Sequence, residues 1–305
     1  MATLRVNLPD LYLTRLAFLE EVLMDEYDIE DGVVNSIYRV KDTDKPFVRT
    51  TSVATFGSVP IKAELADNAW DEMAQGYDKT YTPDTYELGF LTSKEALDDE
   101  QEEVVSDAAR ALMTSLRYTY NVDHADTFID GFTSTTGSPD GKELFATDHP
   151  LVGGGTEQNE LTTAADLSVS SLRDAFNDIL DTQDDAGKLI HWRPKTLLVP
   201  GELQWLAHEL MGSPGNPESA NRSSNAFKDA PDGMLNVVVW PYLTNNDDWF
   251  LLASPSEHNV RTYWRERPNT MHDFDFDKTG MKVKVRARWI RGWSDWRGVY
   301  GSPGA

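Results

Sequence analysis

The chain has 305 residues, of which 40% are hydrophobic and 10% aromatic, and it contains no cysteine. This size and composition predict a folded protein of two intertwined domains, and they exclude disulfides and thiolate metal sites. The formal net charge of -23 argues against a general nucleic-acid binder, because such binders neutralise phosphates with Lys and Arg, although charge of this size also simply keeps a protein soluble.

The N-terminal region lacks the order of a signal peptide, and no apolar run of the sequence approaches bilayer length, so we expect an intracellular protein without a membrane partner. Leucines at helical spacing predict a helix from Asp10 to Glu26. Residues 52–87 instead indicate an extended hairpin, with Val59, Ile61, Tyr77 and Tyr81 near polar neighbours. Because a two-stranded hairpin is marginal alone, we expect it to lie on another surface.

A long helix is predicted next. The residues from Thr92 to Glu95 fit a capping box, and acidic residues follow where the helix dipole favours them. Apolar and small residues then recur at steps of three and four, which predicts one stripe over roughly 55 Å. The predicted stripe consists of Leu97, Val104, Ala108, Ala111, Leu112, Ser115, Leu116, Val122, Ala125 and Ile129.

The segment DGKELFATDHPLVGGG, residues 140–155, combines acids, a histidine and three glycines. It matches no catalytic template, because no Ser or Cys motif accompanies its single histidine and no Gly-Lys-Ser/Thr follows its glycines. We therefore interpret it as an irregular turn region, in which His149 is hydrogen-bonded to the backbone and does not act as a base.

From Leu167 the pattern alternates between helix and strand and predicts an α/β unit. The predicted elements are helices at 170–180 and 202–211 and strands at 196–199, 235–240 and 249–253, with a long loop at 212–224. The chain ends in a basic strand, 282–291, followed by an aromatic tail.

Several of these segments, in this order, resemble the major capsid proteins of tailed bacteriophages, in particular the Mu-like head-protein group. Residues 140–155 are similar to a turn between two domains of that family. The hairpin from Val59 to Tyr81 resembles its projecting E-loop, and LGFLTSKEALDDE, residues 88–100, resembles the entry to its spine helix. The other matching segments are 193–211 and 237–253, similar to the axial domain, and 292–298, similar to the C-terminal signature.

The resemblance implies an α+β fold shared with the floor domains of herpesvirus capsids. It divides the chain into an N-terminal arm (1–51), an E-loop (52–87), a peripheral domain with the spine helix (88–145), an axial domain (146–265), and closing peripheral strands with a C-terminal tail (266–305). No charged helical leader of about a hundred residues precedes the arm, so a built-in scaffolding domain is expected to be either absent or already removed, and a separate scaffolding protein is favoured. Some relatives crosslink an E-loop lysine, but no motif here identifies a partner for one.

The function implied is structural and not enzymatic, with no cofactor. Subunits would form pentamers and hexamers of an icosahedral or prolate head that encloses double-stranded DNA without reading its sequence. Further partners would be a portal protein and, as an optional partner, a decoration protein, in a virion made in the bacterial cytoplasm. The alternative from another class is an acidic cytosolic hydrolase, glycosidase-like, acting as a small oligomer; its support is the abundance of tryptophan and carboxylates.

Charge is distributed unevenly, with acids dense between Glu64 and Asp107 and bases near the C-terminus. Four cations alternate with apolar residues along the basic strand, so one face is expected to be exposed. That face is interpreted either as an ordinary solvated one or as a surface that registers against an acidic neighbour; DNA contact is a third alternative. The candidates for subunit contact are Lys62, Glu64, Trp70, Lys79, Lys282, Lys284, Arg286 and Arg288.

Two metal hypotheses are disfavoured. Six histidines are scattered without the close pairs typical of zinc sites. The alternation from Asp273 to Asp277 places three carboxylates on one side of a strand, but it lacks the Gly and Glu of a calcium loop. We favour a solvated acidic face, with Phe274 and Phe276 packed inward.

Overall fold

A computed structural model describes residues 32–65, 67–93, 95, 102–213, 227, 235–275 and 280–305. The elements in chain order are α1 (Gly32–Ile37), β1 (Arg39–Asp42), β2 (Val48–Val53), β3 (Gln75–Tyr81), β4 (Asp84–Ser93), α2 (Glu102–Ile129), β5 (His149–Pro150), β6 (Thr156–Glu157), α3 (Val169–Asp181), β7 (Thr196–Val199), α4 (Gln204–Gly212), β8 (Asn236–Val239), β9 (Trp249–Leu252), β10 (Val260–Asp275), β11 (Gly280–Trp293) and β12 (Val299–Ser302). The predicted helix at 10–26 and most of the predicted loop at 212–224 lie outside the described residues.

The larger sheet has the strand order β1-β10-β11-β4, and all its pairs are antiparallel except β1 with β10. Strand β11 alternates as predicted, with Val283, Val285, Ala287 and Trp289 buried. Thr92, the predicted helix cap, instead lies in β4 opposite Met281. The residues that the capping pattern predicted as a helix start therefore form a strand that pairs with β11.

Helix α2 packs its buried face on the larger sheet, but this face differs in part from the prediction. Leu112, Leu116 and Ala125 are buried as expected, whereas Ala111 and Ser115 are exposed. The stripe is completed by Ala109, Met113, Tyr120, His124 and Phe128. Small residues at helical spacing suit either of two adjacent stripes, and the aromatic side chains decide which one faces the sheet.

The smaller sheet has the order β12-β9-β7-β8. Every residue of β7 and β9 is buried, because helices α3 and α4 cover one face and the aromatic core covers the other. The last strand, β12, was not predicted. Its Gly301 lies so close to the rings of Phe132 and Phe145 that an added Cβ would be 3.0 Å from each. The lack of space for a side chain favours glycine at this position, although glycine has a low strand propensity.

The predicted hairpin is present as β2 and β3, which pair from Val48 opposite Tyr81 to Val53 opposite Gln75. Residues 84–87, which the prediction placed in the same segment, belong to β4 of the larger sheet. The segment between the two strands, residues 54–74, is called the projecting loop below.

Substitutions in α2 should separate the observed stripe from the predicted one. Met113→Ala and Leu112→Ala each remove a buried side chain, so each should lower the free energy of unfolding by about 2–5 kcal/mol. Ser115→Ala is the matched control on the exposed face and should change it little. Denaturant unfolding measures all three, and a loss for Ser115→Ala as large as that for Met113→Ala would contradict this placement.

Candidate assembly interface

The projecting loop exposes large apolar side chains. Val59, Ile61, Leu65 and Trp70 are each at least 90% exposed. Soluble proteins seldom present several such side chains together unless the surface meets a partner. Trp70 was one of the predicted contact residues. These four exposed side chains are called the apolar edge of the projecting loop below.

Polar contacts inside the loop maintain its shape. The Gly57 amide donates to the Asp71 carboxylate at 2.7 Å, and the Lys62 ammonium donates to Asn68 Oδ1 at 2.8 Å. Lys62 is therefore occupied within the loop, while the Glu64 carboxylate is exposed. These bonds satisfy polar groups locally and leave the apolar side chains free for other contacts.

The base of the loop is attached to the body of the protein on both sides. On the β3 side, the Tyr77 hydroxyl donates to the Pro150 carbonyl at 3.2 Å. On the β2 side, the Thr55 hydroxyl donates to the Asp184 carboxylate. The direction of the arm is therefore set by the turns around residues 150 and 184.

Lys79, another predicted contact residue, lies in a recess of about 220 Å³ that also contains Asp130, Thr136 and Arg291. Its ammonium is 5.6 Å from the centroid of the Tyr81 ring. Burial lowers the pKa of Lys79, because the charged form is partly desolvated.

The four cations of β11 lie on the exposed face, as predicted, but three of them have partners within the chain. The ion pairs join Lys282 to Asp275 (2.5 Å), Lys284 to Glu87 (3.3 Å), and Arg286 to both Glu87 (3.3 Å) and Glu266 (3.2 Å). The sequence could not show these partners, because Glu87 is 197 residues from Lys284, and Glu266 reaches Arg286 only through the pairing of β10 with β11. Pairing within the sheet reduces the charge that the face offers to a neighbouring molecule.

The structure describes two of the three aspartates of the calcium hypothesis. Asp273 and Asp275 lie on β10, and the Asp275 carboxylate pairs with Lys282. Asp277, Phe276 and the side chain of Phe274 lie outside the described residues. Among the side chains that the structure describes, no group of three or more His, Cys, Asp or Glu could hold a metal ion.

The prediction for His149 was wrong in its partners. Its ring is fully buried, and its nitrogens contact the side chains of Asp140 (2.8 Å) and Asn159 (3.0 Å) instead of the backbone. The ring also stacks on Trp296, with centroids 4.7 Å apart. Neither Asp140 nor Asn159 stands out in the sequence, because both residue types are ordinary in turns.

His124 and His258 are also buried, and both rings are neutral. His124 lies 2.7 Å from the Tyr120 carbonyl through Nδ1 and 2.7 Å from the Thr262 hydroxyl through Nε2. The Nδ1 of His258 accepts the Val260 amide at 3.2 Å. Burial lowers the pKa of His124 to about 3 and that of His258 to about 4.

Comparison with known proteins identifies the family. The sequence profile of a family described as phage capsid protein matches residues 76–302, about three quarters of the chain. The chain belongs to the phage capsid protein family. No curated protein sequence matches it.

Solved structures support the fold. A chain from Microbacterium phage Oxtober96 matches with a TM-score of 0.55 at 10% identity, covering 90% of this chain and 91% of that one. The capsid of an empty GTA particle matches with a TM-score of 0.56 at 12% identity, covering 90% of both chains. The capsid of the native GTA particle gives 0.52 at 12% identity, with the same coverage. At these identities the likeness is one of fold.

The phage capsid family confirms the α+β tailed-phage capsid fold and the structural, non-enzymatic function of a major capsid subunit. It leaves the hydrolase alternative without support. The Mu-like subgroup, the domain boundaries and the residues of subunit contact stay predictions. Within the described part of this capsid protein, no helix has the length and apolarity needed to cross a bilayer.

The neutral buried histidines predict loss of stability in acid. Because their folded pKa values are below the ordinary 6.5 of histidine, the unfolded chain binds more protons between pH 6.5 and about 4. Their stabilisation is therefore complete above pH 6.5 and falls as the pH drops, by about 2 kcal/mol for each ring at pH 5. Denaturant unfolding from pH 8 to pH 5 should show this slope.

In the double variant His124→Asn and His258→Asn, the free energy of unfolding should change less with pH than in the parent, even if the variant is less stable at pH 8. The exposed His208→Asn is the control and should retain the parental slope. Parallel curves for the double variant and the parent would show that the two buried rings do not titrate in this way.

Charge reversal on β11 should affect the single subunit. Lys284→Glu with Arg286→Glu places two carboxylates beside Glu87 and Glu266, so unfolding at low salt should become easier by about 1–2 kcal/mol. Adding Glu87→Lys should restore part of the loss, and 1 M salt should reduce it. Reversal of Lys45 and Arg173, exposed elsewhere, is the control. Unchanged stability together with slower shell assembly would instead assign these cations to contacts between subunits.

Proposed function

We propose that this chain is the subunit that assembles into pentamers and hexamers and closes an icosahedral or prolate phage head around double-stranded DNA. Subunits would be made in the bacterial cytoplasm and reside in the virion. The family match and the fold support a capsid role, and the projecting loop is the observation that carries the assembly step.

The loop suits a contact between unlike surfaces. Rings form when one surface of a subunit meets a different surface on the next copy, so that the contact repeats until the ring closes. An arm with Ile61, Leu65 and Trp70 almost fully exposed would gain burial by lying on another molecule, since the bonds to the body found among the described residues are at its base. The arm thus provides one half of such a contact.

The outer face of the larger sheet offers a complementary half. A groove of about 750 Å³ runs over β4, β10 and β11, and Gly89, Leu91 and Met271 line it beside Lys282 and Lys284. Leu91 is about half exposed. An apolar groove with ion pairs at its side would bury the apolar edge of a neighbour's projecting loop and fix its register.

The acidic charge suits a container better than a DNA-binding protein. At a net charge of -23, the chain has little general attraction for phosphates, so packaged DNA would not adhere to the wall. We further propose that a separate scaffolding protein and a portal protein take part in assembly, and that a decoration protein is a possible outer partner.

Removal of the apolar edge tests the function. In the variant Val59→Ser, Ile61→Ser, Trp70→Ser, the loop keeps its internal hydrogen bonds and loses its apolar side chains. We expect soluble subunits that melt like the parent but form no shells in electron micrographs, because the altered side chains contribute nothing to the core of one subunit.

Leu189→Ser is the matched control, since Leu189 is a half-exposed leucine on a different turn; it should still assemble. Normal shells from the triple variant would remove the loop from the assembly contact. Particles no larger than a small oligomer from the parent, under all assembly conditions, would contradict the capsid function itself.

A further inference from the structure

His149 faces two hydrogen-bond acceptors. Its Nδ1 is 2.8 Å from Asp140 Oδ2, and its Nε2 is 3.0 Å from Asn159 Oδ1. A neutral imidazole has one N–H and one bare nitrogen, so it can satisfy only one of these contacts. A ring that donates on both sides carries a hydrogen on each nitrogen and a positive charge.

The orientation of the Asn159 amide is fixed by the backbone. Its Nδ2 donates to the carbonyls of Leu144 (2.8 Å) and Val299 (3.3 Å), and its Oδ1 accepts the Ala146 amide at 3.0 Å. Rotating the amide by 180° would place its NH₂ against the Ala146 N–H and its oxygen against carbonyls. The atom that faces His149 is therefore an oxygen.

Asp140 is the counter-charge. Its Oδ1 accepts the Ser138 hydroxyl at 2.8 Å and the Lys142 amide at 3.1 Å, and its Oδ2 accepts from His149. Burial alone would raise the pKa of Asp140, but the hydrogen bonds from His149 and Ser138 outweigh it and hold that pKa below its ordinary value. An ionised carboxylate that only accepts matches an imidazolium that only donates.

Other charged and titratable groups surround this pair. Glu157 is opposite His149 across β5 and β6, and burial raises its pKa. Arg297 lies over the Trp296 ring on which His149 stacks. Lys142 and Asp148 form an ion pair at the start of β5. The Tyr77 hydroxyl donates to the carbonyl of Pro150, the residue after His149. Among these, Asp140 is the group that bonds directly to the ring.

The pair is located where the projecting loop is attached. Pro150, the residue after His149, accepts the Tyr77 hydroxyl from β3. The turn that follows is held by the Val152 amide, which donates to Asp185 at 3.2 Å, next to the Asp184 that accepts from Thr55. Asn159 continues the connection to β12, where its carbonyl accepts the Gly301 amide. One buried ion pair thus supports both sides of the base of the loop.

We propose that His149 is a charged imidazolium in the folded subunit at neutral pH, and that this charge is the positioning element that sets the direction of the projecting loop. A neutral ring could keep only one of its bonds to Asp140 and Asn159, and the base of the loop would loosen. The consequence for shells rests on the proposed function, whereas the charge of the ring does not.

Nitrogen-15 NMR of histidine-labelled protein tests the charge directly, on soluble, unassembled subunits. At pH 7.5 we expect one histidine with hydrogen on both ring nitrogens. Asp140→Asn should abolish that signal and so assign it to His149. A His149 ring with one bare nitrogen at pH 7.5 would overturn the proposal.

The absence of cysteine permits spin labels at chosen sites to test the direction of the loop. Labels at Ile61→Cys and Ser170→Cys report the distance between the loop and α3. At pH 7.5 we expect the distance distribution of Asp140→Asn to be about twofold wider than that of the parent.

Labels at Thr114→Cys and Ser170→Cys, both within the body, are the control and should give the same distribution throughout. A loop distance distribution as narrow in Asp140→Asn as in the parent would overturn the positioning role, even where NMR shows the charge. Both measurements use unassembled protein, so failure of the assembly proposal does not affect them.

Discussion

The packing of Phe128, Phe145 and Phe250 holds the two halves of the subunit together. Phe128 comes from helix α2, Phe145 from the turn region and Phe250 from the centre of the smaller sheet. The ring centroid of Phe250 is 5.3 Å from that of Phe128 and 5.2 Å from that of Phe145. Each ring is fully buried, so neither sheet can slide without opening a cavity in a densely packed core. Gly301 permits the close approach of the last strand to this cluster.

The aromatic cluster belongs to a closely packed body, and the projecting loop extends from this body as an arm. The body buries aromatic side chains from the helix and both sheets, whereas the projecting loop rests on polar contacts at its base. Regions with few buried contacts open at lower free energy than the core. In the proposed function, a subunit that fits both five-membered and six-membered rings would use this combination, because the arm could adjust its direction while the body keeps its shape.

The sequence predicted the elements whose signal is local. The alternation of Val283 and Val285 with cations, and the helix at 170–180, required no knowledge of distant residues. The buried stripe of α2 was only partly predicted, since Met113, Tyr120 and Phe128 are selected by the sheet they contact. Partners such as Glu87 for Lys284, or Asn159 for His149, come from other elements, and no local pattern encodes them. The order of segments that resembles the capsid family carried the functional conclusion.

Charge limits how such subunits can associate. Each chain carries -23, so two copies repel at long range, and three of the cations on β11 are already paired within their own sheet. Attraction between copies must therefore come mainly from apolar burial, at roughly 25 cal/mol per Å² of surface removed from water. The side chains available for this are those of the projecting loop and of the groove along β4. Charge then contributes by excluding wrong registers, since a loop bearing Glu64 and Asp67 is repelled wherever it meets an acidic surface. In the proposed assembly, the apolar edge would supply the affinity and the acidic residues would supply the selectivity.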